Sequence, residues 1–155
     1  MAKQQVYLDT SVIGGCCDPE FEQWSRALVR DIRLGLLDAV TSTLTEEELT
    51  GAPADVQVVY DELVDLGLQR VQESAASLEL AAKYIDEGIL GASYESDARH
   101  IAVATVNQVG LLVSWNFRHI VRYDKIRQFN AVNVLMGYAP LQIHTPMEVA
   151  SEEGP

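Results

Sequence analysis

Short apolar runs alternate along this chain with longer stretches whose apolar residues recur at helical spacing, and that alternation limits the fold more than any other feature. Val6 to Leu8, Leu37 to Thr41, Leu68 to Val71, Leu111 to Ser114 and Leu141 to His144 read as strands. Between them, Pro19 to Leu34 carries Phe21, Trp24, Ala27, Leu28 and Ile32, with Leu36 just beyond, in helical register. Ala54 to Leu66 repeats the pattern with Val56, Val59, Tyr60, Leu63 and Leu66, and Leu78 to Ile85 reads as a further helix. Asp97 to Val109 sets Ile101, Ala102, Thr105 and Val109 on one face, and Trp115 to Ile120 turns out of the strand into a helix running to about Met136. Thr45 to Leu49 is a short helix, and Pro146 starts a last turn. Gly35, Gly67, Gly88 and Gly110 stand where helices end. Strands alternating with helices predict an α/β fold of three layers, α/β/α, around a central parallel sheet of about five short strands. Residues 1–150 are expected to form a single domain and 151–155 a flexible tail.

No apolar run approaches the ~20 residues that cross a membrane, and the N-terminus lacks a signal-peptide core, so a cytoplasmic protein is expected. Cys16 and Cys17 are adjacent, which suits neither a cross-fold disulfide nor a CxxC motif, and with no further cysteine a structural zinc site is not expected. Eleven Lys and Arg stand against 23 Asp and Glu, a net charge of −12, which argues against a nonspecific nucleic-acid coat protein. It is compatible with an enzyme that has a local basic rim and a bound cation.

The acids carry the chemistry. Singly, each has a structural explanation. Asp9 can cap the helix after its strand, and Thr45 to Glu48 fits a capping box. Asp97, beside Ser96, suits a helix start, and Asn116 is an ordinary turn residue. Their shared placement says more. Asp9 and Asn116 each follow a strand, while Glu48 and Asp97 each lie at a helix start, and in a parallel sheet these positions share one edge. Carboxylates gathered there repel one another unless a cation compensates them. Oxygen ligands without His or Cys suit a hard ion, Mg²⁺ or Mn²⁺. Phosphoaspartate enzymes fit poorly: the haloacid-dehalogenase type wants an aspartate where Ser11 stands, and receiver domains want acids where Gln4 and Gln5 stand. A glycine-rich phosphate loop is absent from the sequence.

Four stretches, in order, carry a family resemblance. They are Leu8-Asp9-Thr10-Ser11-Val12-Ile13, Ser42 to Leu49, Asp97 to Thr105, and Leu112-Val113-Ser114-Trp115-Asn116-Phe117-Arg118-His119-Ile120. Together they resemble PIN-domain ribonucleases, the family that includes the VapC-like toxins of toxin–antitoxin pairs, over roughly residues 5–145. The resemblance implies a divalent-metal-dependent endoribonuclease with catalytic Asp9, Glu48, Asp97 and Asn116. One or two Mg²⁺ or Mn²⁺ ions would be held by Asp9 and Asp97 with Glu48, and Thr10, Ser11 and Ser114 would hold the surrounding water. It also implies an RNA substrate, a homodimer and a small antitoxin partner. Many members carry an aspartate near Asn116 or Ser114; here an amide and a hydroxyl add no charge, so one ion with a second recruited by the substrate phosphate is the preferred arrangement. Arg118, Arg122, Lys125 and Arg127 crowd into ten residues and have two readings of equal weight, a nucleic-acid-binding rim beside Asn116 or a solvated helix face paired with acids, with Arg118 and Arg122 sharing a helix face. Trp115 is expected in the core or cleft wall rather than under a base, and His100 as a packed or hydrogen-bonded histidine. The rival function is a PIN-fold module that binds protein or RNA without cutting it.

Overall fold

The computed structural model describes residues 3–152. Its elements run β1 (Gln4–Leu8), α1 (Thr10–Gly15), α2 (Glu22–Arg33), β2 (Leu37–Ser42), α3 (Thr43–Leu49), α4 (Ala54–Asp65) and β3 (Gln69–Val71). The second half adds α5 (Ala75–Asp86), α6 (Glu95–Val106), β4 (Leu111–Val113), α7 (Tyr123–Leu135), β5 (Gln142–His144) and α8 (Pro146–Val149). The five strands form one parallel sheet in the order β3-β2-β1-β4-β5. The α/β/α architecture expected from the strand–helix alternation is therefore the one observed.

Strand geometry explains the two outer layers. Successive side chains leave a strand on opposite faces, so Val6 and Leu8 point one way and Tyr7 the other. Val6, Leu8, Ala39, Leu111 and Val113 pack with α1, α2 and α4 residues such as Val12, Leu28 and Leu63. Tyr7, Val40, Leu112 and Ile143 pack with Leu80 and Tyr84 of α5, Ile101 of α6 and Phe129 of α7. Val6, Tyr7 and Leu8 are all fully buried, which is why β1 reads as an unbroken apolar run rather than an alternating one.

Several boundaries differ from the sequence reading, for identifiable reasons. The helix expected to follow the turn at Trp115–Ile120, with Arg118 and Arg122 on it, begins at Tyr123 and leaves both outside. The carbonyl of Asn116 accepts from the Ile120 and Val121 amides, closing residues 116–121 into a turn. Arg118 and Arg122 therefore do not share a helix face. The short third helix is capped by Ser42, whose hydroxyl accepts from the Thr45 amide, so the capping box expected at Thr45 is displaced by a turn. Leu36, counted with the apolar face of α2, is largely exposed, as is Leu34 at the end of that range. Gly35 between them takes a φ of +76°, the left-handed turn that ends the helix. Ser151, expected in a loose tail, is tied to the buried Asp31 of α2: its amide and hydroxyl donate to Oδ2 (2.7 Å) and Oδ1 (2.5 Å). Residues 153–155 of that tail lie outside the described residues. Among the described residues no helix is long and apolar enough to cross a membrane.

Candidate active site

The strand order places β1 between β2 and β4. The chain leaves β1 toward β2 and β3, then returns to the other side of β1, so the β1–β4 gap is the sheet's switch point, where open α/β sheets leave a crevice at their carboxyl edge. Asp9 follows β1 and Ser114 follows β4, and their side chains meet across that gap. The Ser114 hydroxyl donates to Asp9 Oδ2 at 2.5 Å. Asp9 Oδ1 accepts from Ser11 Oγ (2.7 Å) and from the Val12 amide (3.2 Å), the latter making Asp9 the N-cap of α1. Ser11 Oγ in turn accepts from the Trp115 amide at 2.9 Å, and Ser114 Oγ from the Asn116 amide at 2.9 Å. The two loops are thereby locked together through side chains that sequence reading placed around an ion.

Asp9 is only 4% exposed. Burial pushes its carboxyl above the usual aspartate range, opposed by the nearby His100 and by the hydroxyl donors. Among the described residues no Lys, Arg or His bonds to it directly. Its direct hydrogen-bond partners are neutral donors.

Glu48, expected at a helix start, instead lies near the end of α3, because that helix is capped by Ser42 and begins at Thr43; contacts with Thr10 and Ser96 still hold it on the same edge. Its Oε1 accepts from Thr10 Oγ1 (2.6 Å) and contacts His100 Nε2 (2.5 Å), and its Oε2 accepts from Ser96 Oγ (2.8 Å). Partial burial works against its charge, but His100, Thr10 and Ser96 outweigh that and draw the carboxyl down to about 2. Behind it runs a buried chain: His100 Nδ1 meets the Tyr7 hydroxyl at 2.7 Å, which meets Ser42 Oγ at 2.7 Å. His100 is thus a hydrogen-bonded core histidine, as its position one turn from Asp97 suggested. Tyr7, Ser42 and Ser96 have no sequence signal beyond Tyr7's place on the strand, because their partners lie far away along the chain.

Asp97, in the first turn of α6, pairs with His119 Nδ1 at 3.1 Å, and the His119 ring lies against Tyr94 at a tilt of 38°, with centroids 3.8 Å apart. Asn116 turns its Oδ1 to the backbone, accepting from the Arg118 (3.2 Å) and His119 (2.9 Å) amides. It shapes the loop after β4. Trp115 is buried, its indole donating to Ser25 Oγ at 2.8 Å, in agreement with the core placement. Of the basic residues, Arg122 pairs with Asp124, Lys125 binds the Ile89 carbonyl, Arg127 lies over the Tyr123 ring and Arg118 lies 6.0 Å from the Tyr94 ring centroid. Arg118 alone of these four contacts a ring adjoining the acidic edge.

The donor chemistry suits a hard cation: carboxylates and hydroxyls, with a buried charge at Asp9 that lacks a direct cationic partner. The grouping is less complete. Among the described residues no three of the Asp, Glu, His and Cys side chains stand together as ligands of one ion. Glu48 and Asp97 are each engaged by a histidine, and an ion at Asp9 would have to draw one of them away.

The fold these elements define is the PIN-domain, VapC-like fold. The chain is similar to VapBC2 from Rickettsia felis, solved bound to a DNA fragment from their promoter, at 14% identity and a TM-score of 0.56, covering 91% of this chain and 98% of that one. It is similar also to FitAcB from Neisseria gonorrhoeae, at 18% identity and a TM-score of 0.57, covering 93% and 99%. No family model matches the chain, and no curated protein matches it.

Proposed function

We propose that this protein is a divalent-metal-dependent endoribonuclease, cytoplasmic, and the toxin of a toxin–antitoxin pair. The supporting observation is the buried Asp9 carboxylate at the β1–β4 switch point, with Glu48 and Asp97 on the same edge. Burying a charge that only neutral groups solvate is costly, and such groups are retained where chemistry needs them.

Asp9 and Asp97 would hold the ion, Mg²⁺ or Mn²⁺, with Glu48 beside them. A bound divalent ion supplies Lewis acidity toward a phosphoryl oxygen and a water. Ser114 and Ser11 fix the Asp9 carboxylate plane from both sides, so its free lone pairs face a constant direction. Glu48, drawn down to about 2, is a weak proton acceptor at neutral pH. Its part is to accept a hydrogen bond and orient the attacking water, in a position set by Thr10, Ser96 and His100. Asn116 contributes by holding the β4 loop, which keeps Ser114 against Asp9. Homodimerisation and an antitoxin blocking this edge belong to the same proposal. The engagement of Glu48 and Asp97 by histidines favours the second reading, a PIN-fold binding module without catalysis.

Cleavage of a mixed pool of structured and single-stranded RNA separates the two. Wild type and Asp9→Asn are each incubated with Mg²⁺, with Mn²⁺ and with chelator. The nuclease cuts only with metal and only as wild type. Absence of cutting by tightly purified, folded wild type in both metals overturns the proposal, as does cutting that survives Asp9→Asn.

A further inference from the structure

We propose that Phe117 is a seat on which one unpaired nucleobase stacks, so that the strand presented to the acidic edge must be single-stranded there; this rests on the ribonuclease reading above. Phe117 is 53% exposed, in the loop directly after β4. Phe21 and Trp115 stack on each other at 4.6 Å, and the Phe117 ring leans on this pair, with centroids 6.5 and 6.1 Å away. The ring is braced on one flank and about half open to water, so a flat apolar ligand laid on it would bury that exposed area.

The loop is built to hold it. Asn116 Oδ1 accepts from the Arg118 and His119 amides on either side of the following turn, and the Asn116 carbonyl accepts from Ile120 and Val121. Phe117 therefore hangs from a backbone fixed at residues 116–121, and little ordering is left for a ligand to impose. The same segment reaches the acids. The Asn116 amide bonds Ser114 Oγ, which bonds Asp9, so the ring-bearing residue is one peptide from the network that holds the central carboxylate.

The second acid carries a matching arrangement. Tyr94, 36% exposed, lies tilted against His119, which holds Asp97, and the Arg118 guanidinium lies 6.0 Å from the Tyr94 ring centroid. An exposed ring one residue beyond the Asn116–Ser114–Asp9 network and a second ring beside the histidine that holds Asp97, with a cation between Phe117 and His119 in the chain, match the needs of a single strand: π-faces for bases and a charge for phosphate. A duplex, whose bases are already stacked and paired, offers Phe117 nothing to bind. A protein partner could use an exposed Phe too, and the test includes that outcome.

Binding of a fluorescein-labelled oligouridylate, of the same strand annealed to its complement, and of a version with abasic sites is measured by anisotropy in EDTA and again in Ca²⁺. Wild type, Phe117→Ala and Phe117→Trp are compared, with circular dichroism confirming the fold of each. Loss of one base–aromatic stack predicts single-strand binding weakened roughly 5- to 150-fold in Phe117→Ala. Phe117→Trp should restore it, and wild type should bind the abasic strand as weakly as Phe117→Ala binds the intact one. Under Mg²⁺ or Mn²⁺, KM should rise in Phe117→Ala while kcat stays within about threefold of wild type, as for a residue acting in binding. Equal binding by wild type and Phe117→Ala overturns the stacking seat and turns attention to a protein partner, while cleavage by both leaves the ribonuclease standing. Equal weakening for single strand and duplex also overturns it. Wild type that binds single strands through Phe117 yet cuts none upholds the seat and sinks the nuclease; wild type that binds no RNA sinks both.

Discussion

Replacing Asp9 by Asn should stabilise the fold while removing the function. The exchange keeps the side-chain shape and leaves Oδ1 to accept from Ser11 Oγ and the Val12 amide. The new amide group meets Ser114 Oγ, an oxygen that can rotate to accept it, and Ser11 Oγ, 3.5 Å from Ser114 Oγ, is available to take the freed Ser114 proton. No buried partner is orphaned, so the ~1–3 kcal/mol cost of an unsatisfied polar group does not arise. What disappears is a buried negative charge, the main reason the carboxyl is pushed up. Relief of such functional strain is typically worth ~0.5–2 kcal/mol, and each kcal/mol moves Tm by about 2–4 °C in a chain of this size. The pH dependence follows from linkage. A carboxyl whose folded pKa is raised penalises the fold when ionised, and the penalty fades as pH falls through the folded pKa toward the ordinary 3.8. The gap between Asp9→Asn and wild type should therefore be widest at pH 7 and close in acid. Urea denaturation in EDTA at both pH values reads this directly. A variant destabilised by more than about 1 kcal/mol at pH 7, beyond the scatter of surface substitutions, would refute the claim that Asp9 is a charge held against its solvation.

Other substitutions probe the supports of the site. A Cβ on Gly15 would stand 2.6 Å from Ser25 Oγ and 2.8 Å from Trp115 Nε1, prising apart their hydrogen bond. Overpacking of ~1–3 kcal/mol, offset by ~1 kcal/mol of helix propensity, predicts a lower denaturation midpoint for Gly15→Ala; an unchanged or higher midpoint would contradict the packing. Glu48, with its carboxyl drawn down to about 2, stabilises the fold above its ordinary 4.5 and loses that contribution as pH falls toward 2. Glu48→Gln should then trail wild type at pH 6 and match it near pH 2, and a constant gap across that range would count against the His100 contact. His100→Leu strips a partner from both Tyr7 and Glu48. It should cost ~1–3 kcal/mol by calorimetry and lower RNA cleavage, whereas retention of both properties would show that the buried chain is incidental.

The layers of this fold were legible in its sequence because Val6 to Leu8 of β1 and Leu111 to Val113 of β4 are unbroken buried apolar runs, and amphipathic helices stand between the strands. Asp9 was legible for a second reason: a cap residue directly after a buried strand can occupy few places. The extent of the loop after β4 was not. Trp115 to Ile120 lacks proline and glycine and continues an apolar rhythm into α7, so local pattern favours helix. The turn is decided instead by Asn116, whose carbonyl and side chain capture amides that a helix would have used. The partners of the acids were hidden by distance. Glu48 and His100 are 52 residues apart, Asp9 and Ser114 are 105, and only the sheet order brings them together. The basic cluster after Asn116 allowed two readings, and the structure gives part of it to the paired one. Proximity in sequence suggested one rim, but the start of α7 at Tyr123 divides it, and Arg122 and Lys125 are taken up locally.

The central claim is that this edge takes a divalent ion at Asp9, and titration of Mn²⁺ into the chelator-stripped protein by calorimetry tests it most directly. Wild type should bind with saturable heat, lose that heat in Asp9→Asn, and gain thermal stability with added Mn²⁺ according to mass action, about 2.7 kcal/mol at a hundredfold excess over Kd. Wild type and Asp9→Asn giving the same heat, or neither giving any at millimolar Mn²⁺, would leave the acids as a hydrogen-bonded scaffold and contradict the account.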